Sequence, residues 1–254
     1  MINLIKGDCL EVMKEIEDGS IDAIITDPPY GTTACKWDSV IDFELMWEQL
    51  NRIIKPNGAI VLFGSEPFSS ALRMSNIKNY KNDWVWHKSQ PSGMSFKMQP
   101  MRTHENILIF GAKITFNPIK EIREGFTEGS KKRLASGKIT YSKKGNEIYN
   151  IKEQEGQTKL NDLRNPTTII KIGSVANKGK EKVKHPTQKP VALMEYLIKT
   201  YTNKKEIVLD FTMGSGSTMV ACQNLNRSGV GIEQDDNYFA IAEQRIKENE
   251  YKLF

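Results

Sequence analysis

The run Ile21-Asp22-Ala23-Ile24-Ile25-Thr26 leads straight into Asp27-Pro28-Pro29-Tyr30, and this junction constrains the chain more than any other. The mostly apolar run reads as a buried strand. Proline cannot donate to a sheet ladder, so the strand has to stop at the acid. What emerges is a carboxylate, two rigid carbonyls that no local N–H need claim, and a flat ring. Such a set suits a planar substrate bearing an amine. The same four residues also make an ordinary strand-ending turn, so their meaning depends on what the rest of the chain brings to them.

The chain around this junction alternates strand and helix. Ile2 to Ile5 is a short strand, ended by Gly7-Asp8, and apolar residues at 9, 10, 12, 13 and 16 follow a helical period. After Tyr30, residues 31–40 read as a loop. Phe43 to Ile54 is an amphipathic helix stopped by Lys55-Pro56-Asn57-Gly58, and Ala59 to Phe63 is a buried strand. A helix to about Asn76 follows, then strands at 83–88 and 105–110. Between those strands, residues 89–102 form a Gly-, Pro-, Ser- and Met-containing loop beside the site. Rhythm returns at His185-Pro186-Thr187-Gln188-Lys189-Pro190, where Pro190 suits the first turn of a helix to Tyr201. A strand from Glu206 to Asp210, a helix to about Leu225, a strand from Gly229 to Glu233 and a last helix from Asp236 complete the pattern, that of a doubly wound α/β sheet.

Charge separates one region from this rhythm. Residues 111–190 hold 18 Lys or Arg against 8 Asp or Glu, while the remainder holds 18 basic and 23 acidic residues. A basic block in an otherwise acidic chain points to a polyanion, nucleic acid first; a solvated insertion is the plainer alternative. The block has few apolar runs and carries Lys131-Lys132-Arg133, and it reads as an inserted, partly flexible subdomain.

Several classes are disfavoured. Hydrophobic residues make up 39% and charged residues 26% of 254, as in a soluble globular protein, and no run approaches the roughly 18 apolar residues of a membrane span. The N-terminus reaches acids at once without a small-residue cleavage site, so no signal peptide is expected. Cys9, Cys35 and Cys222 are far apart and form no CxxC pair, which fits reduced thiols in a cytoplasmic protein and argues against zinc. His87, His104 and His185 lack metal-ligand spacing and read as solvated or hydrogen-bonded side chains, so no metal is expected. Ser65, Ser215 and Ser217 sit in no nucleophile elbow.

A second constellation lies near the C-terminus. The strand ending at Asp210 runs into Phe211-Thr212-Met213-Gly214-Ser215-Gly216-Ser217-Thr218, then a helix, then a strand ending in Glu233. Strand, Gly-x-Gly turn, helix and strand-terminal acid is an arrangement that binds adenosine-type ligands: the glycines admit backbone close to the ligand, and the acid accepts the ribose hydroxyls. The third glycine of the dinucleotide fingerprint is absent, since residue 219 is Met, and there is no Gly-Lys-Thr phosphate cradle.

Together these segments resemble the S-adenosylmethionine-dependent DNA amino-methyltransferases, which methylate N6 of adenine or N4 of cytosine. The order of Asp-Pro-Pro-Tyr, basic insertion and Gly-x-Gly loop is similar to the beta group of that family. Gly7-Asp8-Cys9-Leu10-Glu11 resembles its opening segment, and His185 to Pro190 the segment before its cofactor strand. The chain departs from the family at Asp210-Phe211-Thr212, where Asp-Pro-Phe is usual, so the aromatic stands one residue earlier.

The resemblance implies a doubly wound, mostly parallel, seven-stranded-type methyltransferase sheet, circularly permuted. Residues 1–110 would be its catalytic half, 111–184 an inserted target-recognition region, and 185–254 its cofactor-binding half. It implies S-adenosylmethionine as cofactor and double-stranded DNA as partner; a homodimer and a cognate restriction enzyme are both compatible with it. Asp27 and the Pro28 carbonyl would accept the amine N–H groups and Tyr30 would stack on the base. Asp8 and Cys9 would contact the adenine side of the cofactor, and Asp27 would count among the cofactor-binding residues as well as the catalytic ones. Asp210, Phe211, Gly214, Gly216, Ser217 and Thr218 would line its methionine side, Lys189 the methionine carboxylate region, and Glu233 would hold the ribose. Asp at position 27 favours N6 of adenine, with N4 of cytosine the alternative. An RNA or protein methyltransferase, or an inactive nucleotide-binding protein, would use the same fold.

Overall fold

A computed structural model describes residues 1–32, 38–92, 100–122, 128, 129, 132, 135, 139–146, 151–159, 163–176 and 179–253, with backbone alone at 89, 92, 139–146, 151–159, 252 and 253. The chain divides into two units, one of residues 1–117 and 167–254 and one of residues 118–166.

The larger unit is built on one sheet. Its strands are β1 (Ile2–Lys6), β2 (Ile21–Thr26), β3 (Ile54–Gly64), β4 (Tyr80–Ser92), β5 (Arg102–Phe110), β10 (Ile169–Lys171), β11 (Ile207–Asp210) and β12 (Ser228–Glu233). They lie in the order β1-β12-β11-β2-β3-β5-β4-β10. Pairing is parallel from β1 through β3 and again between β4 and β10, while β5 runs antiparallel to both β3 and β4. The helices are α1 (Cys9–Lys14), α2 (Phe43–Ile53), α3 (Phe68–Ser75), α4 (Val191–Tyr201), α5 (Ser217–Asn224) and α6 (Asp236–Leu253).

Alternation along the strands sorts the core into two layers. On β3 and β5, Ala59, Val61, Phe63, Ile107 and Ile109 face the layer shared with Leu193, Leu197 and Tyr201 of α4. Ile60, Leu62, Leu108 and Phe110 face the opposite layer, with Met46, Leu50 and Ile53 of α2 and Leu72 of α3. Because side chains alternate faces with a period of two, a strand covered by helices on both sides is apolar throughout, as the continuous runs at 59–63 and 107–110 are.

Three elements differ from the sequence expectation. Lys55-Pro56-Asn57-Gly58 is not a turn between elements, for β3 begins at Ile54 and runs through it; the ladder with β2 slips between Ile21 and Ala23, an irregularity that accommodates a proline without an N–H. The loop expected at 89–102 is shortened, with β4 reaching Ser92 and β5 beginning at Arg102; residues 93–99 of it lie outside the described residues. An eighth strand, β10, arises from the basic block and pairs with β4 on the sheet edge.

The smaller unit contains two antiparallel ladders, β6 (Glu121–Ile122) with β9 (Leu163–Arg164) and β7 (Ile139–Asn146) with β8 (Ile151–Lys159). Arg164 pairs with Glu121 at 3.4 Å. Among the described residues no helix is long and apolar enough to cross a membrane.

Candidate active site

The strand order places the site. From β2 the chain moves outward to β3, and from β11 it moves the other way to β12, so the carboxyl ends of β2 and β11 flank a topological switch point, where doubly wound sheets open a crevice. A cavity of about 960 Å³ lies there, lined by Asp27, Pro28 and Tyr30 from one strand end and by Asp210 to Ser215 from the other.

The two strand ends are stitched together. Thr26 Oγ1 donates to Asp210 Oδ1 at 2.5 Å and lies 2.7 Å from Thr212 Oγ1, which donates to the Asp27 carbonyl at 3.1 Å. The other Asp210 oxygen accepts from Thr218 at 2.5 Å. Asp210 is 3% exposed, and burial pushes its carboxyl up to about 6 despite these donors. Asp210 and Thr218 thus tie β2, β11 and α5 into one frame at the cavity floor.

Asp27 is held from two sides. Tyr30 donates its hydroxyl to Asp27 Oδ1 at 2.5 Å, and Lys189 donates its ammonium to Oδ2. Burial pushes the Asp27 carboxyl up, with Lys189 opposing and Glu105 adding to the rise. The Tyr30 ring stacks on Phe68, with centroids 5.0 Å apart and planes at 28°. The loop after Tyr30 is fixed by one buried side chain: Asp38 accepts from three consecutive backbone N–H groups, those of Tyr30 at 2.7 Å, Gly31 at 2.9 Å and Thr32 at 2.9 Å. From sequence Asp38 reads only as a residue of the loop at 31–40, and only its spacing from the four-residue signature hints at this role. Of residues 31–40, those at 33–37 lie outside the described residues.

The glycine turn divides its labour. Gly214 has φ +52° and donates to Glu233 Oε2 at 2.9 Å; a Cβ there would come within 2.7 Å of the His185 ring. Glu233 Oε1 accepts from Asp235 N at 2.8 Å, and burial raises the Glu233 carboxyl. Gly216, between Ser215 and Ser217, is not among the residues lining the cavity. It has φ +75°, and a Cβ would meet Ala242 of α6 at 3.0 Å, so it is glycine to let α5 start against α6. Ser217 and Thr218 do line the cavity, as do Asp8, Cys9 and Phe211. Asp8 caps α1 through the N–H groups of Leu10 and Glu11, Cys9 is kept a thiol by burial, its pKa pushed up to about 12, and Phe211 is buried in the α2 layer of the core.

Two further side chains were not legible as site residues. Arg245 on α6, beyond α5 and β12 in the chain, donates to the Ser215 carbonyl at 2.6 Å and to Ser217 Oγ at 3.2 Å, bracing the turn from behind. His185 is half-buried; it lines the cavity and packs on Tyr238 with ring centroids 4.4 Å apart. Burial, with Lys189, Lys182 and Arg245 nearby, pulls its pKa down to about 4, so it is a neutral imidazole at pH 7. Lys189 has its ammonium on Asp27 and Glu105, at the carboxylate end of β2.

These residues fit a nucleoside-bearing cofactor. The cavity is of the size that holds a cofactor together with part of a substrate. The left-handed Gly214 turn ahead of α5 brings backbone to its wall, and Glu233 ends the neighbouring strand with a carboxylate.

This doubly wound sheet, with Asp27-Pro28-Pro29-Tyr30 and the Gly214 turn lining one cavity at its switch point, has the architecture of an α/β enzyme. The chain belongs to the DNA methylase family of N6 and N4 amino-methyltransferases, whose family model matches residues 21–244. It is similar to the type II methyltransferase M.HpaI of Haemophilus parainfluenzae, with 31% identity over 261 residues that cover 96% of this chain and 73% of that protein. The type II methyltransferase M.HinfI of Haemophilus influenzae is 27% identical, over 96% of this chain and 68% of its own. Among solved structures, the M1.HpyAVI–SAM complex is similar at 28% identity and a TM-score of 0.64, covering 97% of this chain and 99% of that one. The cytosine-N4-specific PvuII DNA methyltransferase, at 17% identity and a TM-score of 0.63 over 99% of this chain and 92% of its own, shares the fold.

Proposed function

We propose that this DNA methyltransferase methylates the exocyclic N6 amine of adenine, in a base turned out of the duplex at a specific site. The carrying observation is that Asp27 and the Gly214 turn follow two adjacent parallel strands and line one cavity. Neighbouring strands lie about 4.8 Å apart, so an amine at Asp27 lies beside whatever the turn cradles. The type II names of M.HpaI and M.HinfI support site-specific action.

S-adenosylmethionine is the methyl donor, and when bound it supplies an electrophilic methyl group on a leaving group that needs no activation. Asp8 and Cys9 would hold its adenine side, Glu233 its ribose, and residues 214, 215, 217 and 218 its amino-acid side. The substrate amine is a poor nucleophile because its lone pair is delocalised into the ring. Asp27 and the Pro28 carbonyl, accepting both N–H groups, favour a more tetrahedral nitrogen and strengthen as positive charge develops on it. Tyr30, backed by Phe68, offers the base a stacking platform that replaces part of the stacking lost on leaving the duplex, at a cost of a few kcal/mol. Residues 111–184 are read as the target-recognition region, their Lys and Arg side chains gripping phosphates while other side chains read base edges.

Adenine is preferred over cytosine because residue 27 is Asp, the type the family resemblance links to N6 methylation. The test is modified-base sequencing of DNA treated with the enzyme and S-adenosylmethionine, which reports base and site together. N6-methyladenine at one recurrent sequence is expected, and N4-methylcytosine would overturn the assignment.

A further inference from the structure

We propose that Lys189 is a positioning residue for the catalytic carboxylate, and that Glu105 and Lys88 hold it in place. This rests on the assignment of Asp27 as the amine acceptor. Four charged side chains form a row of alternating sign, running from Lys88 through Glu105 and Lys189 to Asp27. Lys88 Nζ lies 3.0 Å from Glu105 Oε1, Lys189 Nζ lies 3.3 Å from Glu105 Oε2, and Lys189 contacts Asp27. The row is almost out of water: the side chains of Lys189, Lys88, Glu105 and Asp27 are 7%, 11%, 15% and 20% exposed.

An apolar row of the same volume would pack at least as stably, because charges taken from water recover little net energy from their partners. Stability alone therefore gives no reason for four ionised groups here. The reason lies at the open end of the row. An ionised carboxylate is a stronger amine acceptor than a neutral carboxyl, and burial opposes that ionisation at Asp27 by raising its pKa. A cation in contact with Oδ2 opposes that rise and fixes the direction in which the carboxylate points.

The geometry around Lys189 serves this task. Gln188 closes the turn by accepting from Val183 N at 3.0 Å and donating to the Glu181 carbonyl at 2.8 Å, and Pro190 starts α4. The residue between them is thereby sent into the cavity. Its ammonium lies 5.1 Å from the centroid of the Phe63 ring, a further cation contact. Within the segment from His185 to Pro190, Gln188 thus shapes the turn and Lys189 delivers the charge.

Among the described residues, Lys189 from the segment before α4, Glu105 from β5, Tyr30 from its own loop and Asp210 from β11 face Asp27, with Lys88 of β4 behind Glu105. Lys189 and Glu105 act on Asp27 with opposite sign. The kcat for methyl transfer to duplex DNA, measured against pH, reports the ionisation of groups in the loaded enzyme. In Lys189→Met the acidic limb is expected to move up by about one pH unit or more, and in Glu105→Gln down by about half a unit or more. Lys189→Arg, which keeps the cation, is expected to leave the limb near its wild-type position. Calorimetric affinity for S-adenosylmethionine should stay within about threefold of wild type in all three variants. Limbs that stay in place, or that move in the same direction in Lys189→Met and Glu105→Gln, would overturn the proposal. If Lys189→Met does not fold, the direction of the Glu105→Gln shift decides alone. Wild-type enzyme that transfers no methyl to DNA would instead remove the function on which the proposal rests.

Discussion

Thr26 and Asp210 are hydrogen-bonded across the two central strands, Oγ1 to Oδ1 at 2.5 Å, 184 residues apart in the chain. The bond joins the strand that ends in Asp27-Pro28-Pro29-Tyr30 to the strand that ends in the Gly214 turn. Because the Asp210 carboxyl is raised to about 6 by burial, its ionisation costs the fold stability. A carboxyl raised above its unfolded value keeps its proton longer in the folded state, so stability falls as pH rises between about 4 and 6. Relative to Asp210→Asn, the wild type should lose about 3 kcal/mol across that window. Denaturant titrations of both proteins at pH 4 and pH 7 test this, and an unchanged difference between them would refute it.

Asp27→Ala should lower methyl transfer by roughly 10²–10³-fold or more, the scale of removing one preorganised group that stabilises developing charge. S-adenosylmethionine affinity should remain within a few fold, because the cradle residues lie on the other strand ends. Tritiated-methyl incorporation and calorimetry on the same preparation separate the two effects. Incorporation near the wild-type level would exclude Asp27 as the acceptor.

Asp38→Ala leaves three consecutive N–H groups without their carboxylate. The expected loss of stability is about 2 kcal/mol or more, with a raised KM for DNA because Tyr30 is no longer held beneath the base. Cofactor affinity should be unaffected. A variant as stable as wild type would show that the loop is fixed by other contacts.

The two glycines of the turn should behave differently. Alanine at either meets a left-handed backbone, costing about 1–2 kcal/mol. Gly214→Ala also drives a methyl into the His185 ring at the cavity wall, so cofactor affinity should fall about tenfold or more. Gly216→Ala presses on Ala242 away from the cavity and should reduce stability with a smaller loss of affinity. Paired melting and calorimetry curves for the two variants distinguish these outcomes.

The basic block predicts DNA binding that weakens steeply with salt. Replacing Lys131, Lys132 and Arg133 by Ala should lower the slope of log affinity against log salt by up to about three, if each meets a phosphate. Fluorescence anisotropy with a labelled duplex between low and physiological ionic strength measures it, and an unchanged slope would place the phosphate grip elsewhere.

Much of the site was legible before any fold was known. Asp27 and Pro28 follow an apolar run that has to end there, and the Gly214 turn stands between a buried strand and a helix, so both could be assigned to strand ends from local chemistry alone. Lys189, Asp38, Gly216 and Arg245 were not legible in their roles. Lys189 is 162 residues from Asp27 in sequence and in contact with it in space. Gly216 has the local pattern of a ligand glycine, and only the packing of α6 shows what its missing side chain makes room for.

By itself, the sequence determined the alternation of strand and helix, the strand-end positions of Asp27 and Glu233, and the charge contrast of the basic block. Periodicity and proline chemistry act within a few residues, and the composition of a block can be counted without knowing what it packs against. Tertiary structure alone decided that β2 and β11 are neighbours, that Thr26 and Asp210 stitch them together, and that Lys189 turns the buried carboxylate of Asp27 into part of a row of alternating charges. Strand pairing depends on how whole apolar faces are buried together, and no local pattern encodes which two strands will meet across more than 180 residues. The Asp-Pro-Pro-Tyr junction could thus be recognised as an end, and the fold supplied what it faces.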